Sequence, residues 1–156
     1  MFNPSEILTR LSDADVDYIL IGGVAALAHG CARLTQDVDV LYARTEDNFD
    51  RIVKAFAECS PYPRGAPVGL PFQWCAETFK FGLNFTLTTT LGDVDLLGQI
   101  PGGDYISLKP HSISIEMFER TILCLALDKL IEVKRCAGRP KDFEAIAELE
   151  RIRRNA

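Results

Sequence analysis

Residues 20–41 read LIGGVAALAHGCARLTQDVDVL, and this stretch decides the fold. The apolar run that opens at Tyr18 and stops at Gly22 is typical of a short buried strand. Residues 24–29 then predict a short helix, and a second apolar strand begins at Asp37. The order is therefore a strand, two glycines, a helix and a strand that carries Asp-Val-Asp.

Two carboxylates share one face of that second strand. Side chains at positions i and i+2 of a strand point the same way, so Asp37 and Asp39 project together, roughly 7 Å apart along the chain. They repel each other unless a cation lies between them. Two hard ions such as Mg²⁺ can hold the attacking and leaving oxygens of an in-line displacement. The pattern indicates a two-metal site for Mg²⁺ or Mn²⁺.

The glycine pair and the residues just before the Asp strand are candidates for phosphate binding. Gly22 and Gly23 let the backbone approach a triphosphate closely, and the helix that follows offers N–H groups to anionic oxygens. Arg33 can neutralise a phosphate or form a structural salt bridge with Asp37 or Asp39, and the sequence leaves both interpretations open. Thr35 lies in the same segment and is a further candidate.

A later strand supplies a third carboxylate within residues 92–97, GDVDLL. Asp95 has apolar neighbours on both sides, as a carboxylate of a central strand should. Asp93 follows a glycine directly, which is more typical of a turn. Asp95 is therefore favoured, although a regular strand would place both side chains on one face.

Together these motifs resemble the nucleotidyltransferases of the DNA polymerase β-like superfamily, and especially its minimal toxin-type and abortive-infection-type members. Such proteins carry Gly-Gly or Gly-Ser after a strand, a short helix, an apolar–Asp–apolar–Asp–apolar strand and a later carboxylate. The resemblance covers about residues 17–97. Residues 137–142, AGRPKD, are similar to the Lys-Asp-containing helical tail of those members.

The resemblance implies an enzyme that transfers a nucleoside monophosphate from an NTP to an acceptor hydroxyl. Asp37 and Asp39 would bind both metal ions, and the third carboxylate would bind the second ion and act as the base. A basic residue of the tail faces the triphosphate in toxin-type members. This makes Lys134, Arg139 and Lys141 candidates, although such residues also serve as solvated charges near a helix end.

The acceptor that follows from this resemblance is an RNA 3′ end or a protein side chain. We expect no large extra domain of the kind with which template-directed polymerases hold a duplex, which leaves small acceptors, structured RNA ends or partner proteins. A toxin–antitoxin setting, with a partner or antitoxin protein, is an extension of the same resemblance. The alternative is a non-catalytic relative that binds a nucleotide or a partner protein.

The rest of the chain predicts helices and strands around this core. The expected fold is α+β, with a small mixed sheet flanked by helices in a single domain, residues 1–156. Its core would span about 15–100 and its helical tail about 114–155. The expected elements are a helix from Pro4, a helix after Thr45, an irregular loop at 59–72, a strand at 79–90, one long helix from Ser114 through Ile131, and a final helix at 143–149.

Composition argues against several other classes of protein. The net charge of −5 disfavours general coating of nucleic acid. Five cysteines without C-x-x-C spacing favour free thiols over a zinc site or disulfides, and two histidines disfavour a histidine-centred site. No apolar run approaches ~20 residues and residues 1–10 do not form a signal peptide, so we expect a cytoplasmic protein without a membrane partner.

Overall fold

A computed structural model describes all 156 residues, Met1–Ala156, and arranges the strands in a mixed seven-stranded sheet. In spatial order the strands are β3 (Tyr62–Pro63), β4 (Asn84–Thr89), β5 (Gly92–Leu97), β2 (Asp37–Tyr42), β1 (Tyr18–Ile21), β9 (Arg120–Leu125) and β8 (Ser112–Met117). A separate small hairpin pairs β6 (Gln99–Ile100) with β7 (Gly103–Asp104).

Seven α-helices accompany the sheet and complete the predicted α+β architecture. They are α1 (Pro4–Asp13), α2 (Gly22–Ala28), α3 (Glu46–Ala55), α4 (Ala76–Phe81), α5 (Tyr105–Leu108), α6 (Leu127–Ala137) and α7 (Phe143–Arg154). Short 3₁₀ turns occur at Lys109–His111 and Pro140–Asp142. No helix is long and apolar enough to cross a bilayer.

The strands that carry the aspartates lie side by side at the centre of the sheet. β2 runs antiparallel to β1 and parallel to β5. The parallel register places Asp37 opposite Asp93, and Asp39 opposite Asp95. The valine between the two aspartates of each strand is fully buried, because alternate side chains of a strand point to opposite faces. The sheet therefore gathers four carboxylates on one face.

Local sequence signals account for several helix boundaries. The Asn3 side chain accepts a hydrogen bond from the Glu6 N–H at 3.1 Å and so caps α1, as predicted. The Thr45 hydroxyl caps α3 in the same way, accepting from the Asn48 N–H at 3.3 Å. α6 ends at Gly138, whose φ of 63° is the left-handed conformation that favours glycine.

The long helix predicted from Ser114 through Ile131 is wrong as far as Leu125. Those residues form the β8–β9 hairpin, and the helical tail begins at Leu127 rather than about 114. The hairpin turns at Phe118 and Glu119, whose φ values of 54° and 60° suit a two-residue connection. β9 pairs in parallel with β1, and this pairing buries apolar residues whose spacing would also be compatible with a helix. Tertiary packing therefore outweighs the local pattern.

The strand predicted at 79–90 begins later than expected. Residues up to Phe81 belong to α4, and β4 starts only at Asn84. The centroid of the Phe79 ring lies 5.6 Å from the centroids of the Tyr42 and Phe49 rings, so α4 contributes a buried side chain to an aromatic cluster. This burial explains why aromatic residues that favour strands lie in a helix here.

Candidate active site: a carboxylate triad at the junction of two pockets

Three of the four clustered carboxylates form a compact group. One carboxylate oxygen from each of Asp37, Asp39 and Asp95 lies within 4.8 Å of the other two. Asp93 lies outside the group: its side chain is 39% exposed, whereas that of Asp95 is 16% exposed. The geometry therefore selects Asp95 as the partner of Asp37 and Asp39.

Burial and the repulsion of neighbouring carboxylates make Asp37 and Asp39 costly to ionise. Burial, followed by the charges of Asp37 and Asp95, raises the pKa of Asp39 to about 8. Burial and the charge of Asp95 also raise the pKa of Asp37. These directions follow from partial burial of carboxylates that lie close to one another.

The triad fits a divalent cation. Asp39 Oδ1 is buried and has no hydrogen-bond partner, which is an expensive arrangement for a carboxylate oxygen. A donor set made only of carboxylate oxygens suits hard ions such as Mg²⁺ and Mn²⁺. A cation would satisfy the orphaned oxygen and offset the repulsion that raises the pKa values.

The glycine pair makes room for the triad. Gly22 has a φ of +69°, and a Cβ atom added there would lie 2.8 Å from Asp39 Cβ and Cγ. A Cβ atom on Gly23 would lie 2.6 Å from Thr35 Oγ1. The Thr35 hydroxyl in turn donates to the Asp37 carbonyl oxygen at 3.1 Å. Both glycines are therefore required by close approach of the Asp strand and the segment before it.

Replacing Gly22 by alanine is expected to destabilise the fold more than the same change at Gly69. Both glycines have positive φ, which costs alanine about 1–2 kcal/mol, but a Cβ atom at Gly69 meets nothing within 4 Å. The clash with Asp39 should add on the order of 2 kcal/mol at Gly22. Urea unfolding of both variants measures the difference. Equal losses would show that Asp39 moves away freely.

The first of two pockets beside the triad contains every residue predicted from the sequence to bind metal or nucleotide. This polar pocket measures about 530 Å³. The predicted residues that line it are Gly22, Gly23, Arg33, Thr35, Asp37, Asp39, Asp95, Lys134, Arg139 and Lys141. Residues more than 100 positions apart in the chain therefore converge on one cleft.

A buried carboxylate organises the basic residues of this pocket. Asp142 is 6% exposed and accepts a hydrogen bond from Arg139 Nε at 2.8 Å. Its other oxygen lies 3.8 Å from Lys134 Nζ, and Lys134 is 7% exposed. The charge of Lys134 acts to lower the pKa of Asp39, and that of Lys141 acts to lower the pKa of Asp37. Lys134 and Lys141 therefore act electrostatically on the triad.

Arg33 adopts neither of the structural pairings considered from the sequence. It forms a salt bridge with Glu144 of α7 instead of with Asp37 or Asp39. Arg33 nevertheless lines the polar pocket, where its guanidinium adds to the positive charge. The partner was unpredictable because Glu144 lies far away in the sequence.

Arg64 is a site residue that the sequence did not reveal. It follows the edge strand β3, and its Nη2 donates to Asp95 Oδ1 at 2.7 Å and to the Leu87 carbonyl oxygen at 3.0 Å. Its Nε lies 3.2 Å from Asp93 Oδ2. One guanidinium thus neutralises both carboxylates of β5. A lone arginine in a proline-rich loop carries no periodic signal that could have indicated this contact.

Replacing Arg64 by glutamine is expected to tighten Mn²⁺ binding by about tenfold. The guanidinium and a metal ion compete for the same carboxylate, and removing one nearby positive charge is worth on the order of 1 kcal/mol or more. Calorimetric titration measures the Kd. Arg51→Gln is the matched control, because Arg51 pairs with Asp17 outside the site. An unchanged or weaker Kd in Arg64→Gln would contradict the competition.

Comparisons with known proteins identify the fold. No protein-family model matches the chain, and no curated protein sequence matches it. The architecture is that of the nucleotidyltransferases, as two solved structures show. One is TM1012 of Thermotoga maritima, provisionally described as a nucleotidyltransferase, with 17% identity, a TM-score of 0.57 and coverage of 95% of this chain and 94% of that one. The other is the lincosamide antibiotic adenylyltransferase LnuA bound to lincomycin, with 16% identity, a TM-score of 0.64 and coverage of 97% and 98%.

Proposed function

We propose that this chain is an enzyme that transfers a nucleoside monophosphate from an NTP to an acceptor hydroxyl. The observation that carries the proposal is the carboxylate triad of Asp37, Asp39 and Asp95 facing a pocket lined by Lys134 and Arg139. Carboxylates that hold cations and basic side chains that hold phosphates are the two elements that such a transfer needs.

The polar pocket supplies the donor site in this proposal. Gly22 and Gly23 line this pocket, and because they carry no side chain, the Asp39 carboxylate and the Thr35 hydroxyl lie directly against their backbone at the edge of the donor site. Lys134, Arg139 and Lys141 neutralise the triphosphate, and Asp142 holds the first two in place. Fixed positive charges of this kind favour a reaction in which negative charge moves onto a leaving group.

Asp37, Asp39 and Asp95 would hold Mg²⁺ or Mn²⁺, one ion or two, which would supply charge neutralisation and orientation of phosphate oxygens. In the transfer, the acceptor oxygen forms a bond to the α-phosphorus. The bond from that phosphorus to the bridging oxygen breaks, and pyrophosphate leaves with the electron pair. Asp95 accepts the proton of the acceptor hydroxyl, and its contact with Arg64 holds the carboxylate in position.

The acceptor and the cellular setting are the finer parts of the proposal. From the sequence, the acceptor is an RNA 3′ end or a protein side chain, in a cytoplasmic toxin–antitoxin setting with a partner protein. LnuA, which shares the fold, is named for transfer to a lincosamide antibiotic, so a small-molecule acceptor belongs in the same test.

The second candidate is a nucleotide-binding relative without catalysis. The contact of Arg64 with Asp95 favours it, because a guanidinium there already neutralises the carboxylate that would act as base. A binding protein would keep its affinity for NTP and transfer nothing.

Label transfer separates the two candidates. The purified chain is incubated with each of the four α-³²P-labelled NTPs and Mg²⁺ or Mn²⁺, with total RNA, with protein extract and with a filtrate of small molecules. Label on an acceptor only with the unmutated chain, and not with the Asp37→Asn/Asp39→Asn double variant, supports the enzyme. Thermal stabilisation by NTP without any transfer supports the binding protein.

A further inference from the structure

A second pocket opens beside the same carboxylates and has a different lining. This apolar pocket measures about 240 Å³ and shares Gly22, Asp39, Asp95, Lys134 and Arg139 with the polar pocket. The residues that line it alone are all apolar, among them Leu97, Ile100, Pro101, Leu130, Val133 and Ala137. Asp39 and Asp95 of the triad therefore lie at the junction of a polar pocket and an apolar one.

Three fixed elements build the apolar wall. Leu97 ends β5, Ile100 and Pro101 belong to the β6–β7 hairpin and its turn, and the remaining residues lie on one side of α6. The hairpin packs closely on α6, since a Cβ atom added at Gly102 would lie 3.0 Å from Val133 Cγ2. The wall is therefore formed by packed secondary structure.

A group transfer requires donor and acceptor to meet at the same reacting atoms. The polar pocket has Arg33 and Lys141 in addition to the two basic residues that both pockets share, so it suits a triphosphate better, and the acceptor then has to reach Asp39 and Asp95 by another approach. The apolar pocket provides one. Its lining, mainly apolar with a few polar groups at one end, is typical of small-molecule sites.

We propose that the apolar pocket binds the acceptor, a small hydroxyl compound with a compact apolar skeleton, and presents its hydroxyl to Asp95. This inference rests on the proposed nucleotidyl transfer. Among the acceptors that the sequence left open, it selects a small compound over an RNA end or a protein, because an RNA end would bring its phosphates against a mainly apolar wall whose two basic residues, Lys134 and Arg139, also serve the polar pocket. The volume is slightly below the usual range for drug-sized ligands, which suits a compact skeleton.

The first test variant adds side-chain volume to the apolar pocket from helix α6. Ala137 is half-buried and lines only the apolar pocket, so Ala137→Leu narrows it and leaves the polar pocket unaltered. Cys136→Leu is the matched control, because it adds leucine one position away at an exposed site that lines neither pocket. Ile100→Phe fills the pocket from the opposite wall and serves as the second variant. Melting curves establish that each variant is folded.

Two readouts are used. Binding of 2-naphthol, a compact hydroxyl compound, is followed by its fluorescence and tests the pocket without catalysis. Label transfer is measured to a panel of cyclic alcohols, to glucose and to total RNA. We expect Ala137→Leu and Ile100→Phe to weaken 2-naphthol binding and alcohol labelling by at least about tenfold, with unchanged stabilisation by NTP. Cys136→Leu should match the unmutated chain.

The outcomes distinguish this inference from the function on which it rests. Labelling of RNA, protein or glucose in place of the cyclic alcohols would overturn the acceptor class and keep nucleotidyl transfer. Equal binding of 2-naphthol by the unmutated chain and Ala137→Leu, or no binding by either, would overturn the pocket assignment. Loss of transfer to every acceptor together with absent NTP stabilisation would overturn the proposed function itself, while 2-naphthol binding still reports on the pocket.

Discussion

Asp95→Asn is expected to reduce nucleotidyl transfer by roughly 10³-fold or more, whereas Asp93→Asn on the same strand is expected to cost less than about tenfold. Asp95 lies within 4.8 Å of Asp37 and Asp39, so asparagine there removes a negative charge from the point where the two pockets meet. Asp93 lies outside this group and only pairs with Arg64. Asp37→Asn and Asp39→Asn should resemble Asp95→Asn.

Label transfer under single-turnover conditions measures these rates, with each variant compared at saturating Mn²⁺. Asparagine keeps the size of aspartate, so melting temperatures in chelator should stay close to that of the unmutated chain or rise. A loss of activity with an intact melting curve then reports on chemistry. If Asp93→Asn were as damaging as Asp95→Asn, the third carboxylate would have been assigned to the wrong residue.

The sequence was sufficient to predict that Asp37 and Asp39, at the centre of the candidate site, share one face of a strand. Asp37 and Asp39 alternate with valines in an apolar run, so their common face follows from strand geometry alone. From the sequence, Gly22 and Gly23 were expected to let a triphosphate approach the backbone closely. In the structure, the groups that lie close to these glycines are the side chains of Asp39 and Thr35. Local patterns fix such features because the interacting residues belong to adjacent elements.

Features that depend on contacts between distant segments were not predictable. The β8–β9 hairpin contains apolar residues that fit a helix as well as a strand, and only pairing with β1 decides between them. Arg64 contacts Asp95 because β3 pairs with β4 and β4 pairs with β5. These pairings join separate segments of the chain, so no local pattern of residues predicts the contact. The apolar pocket likewise arises where α6 meets the β6–β7 hairpin.

The chain in chelator is expected to lose stability as the pH rises from about 4 to about 8. The pKa of Asp39 is about 8 in the folded protein and near 3.8 in an unfolded chain, so the folded state binds more protons throughout this interval. The free energy of unfolding therefore falls as pH increases, by on the order of a few kcal/mol, and levels off above pH 8. The raised pKa of Asp37 acts in the same direction.

Saturating Mn²⁺ should reverse this trend, because the cation binds the ionised carboxylates and binds the folded state alone. Over this range its stabilising effect should be small at pH 5 and largest at pH 8, where protons compete least for the carboxylates. Melting temperatures across this range, in chelator and in Mn²⁺, measure both effects. Asp39→Asn should flatten the decline in chelator and weaken the response to Mn²⁺, whereas the exposed Asp47→Asn should change neither. An increase in the stability of the chelated chain between pH 5 and pH 8 would contradict this expectation. It would mean that a carboxylate with a lowered pKa dominates the pH dependence, because only a group that binds fewer protons in the folded state makes the free energy of unfolding rise with pH.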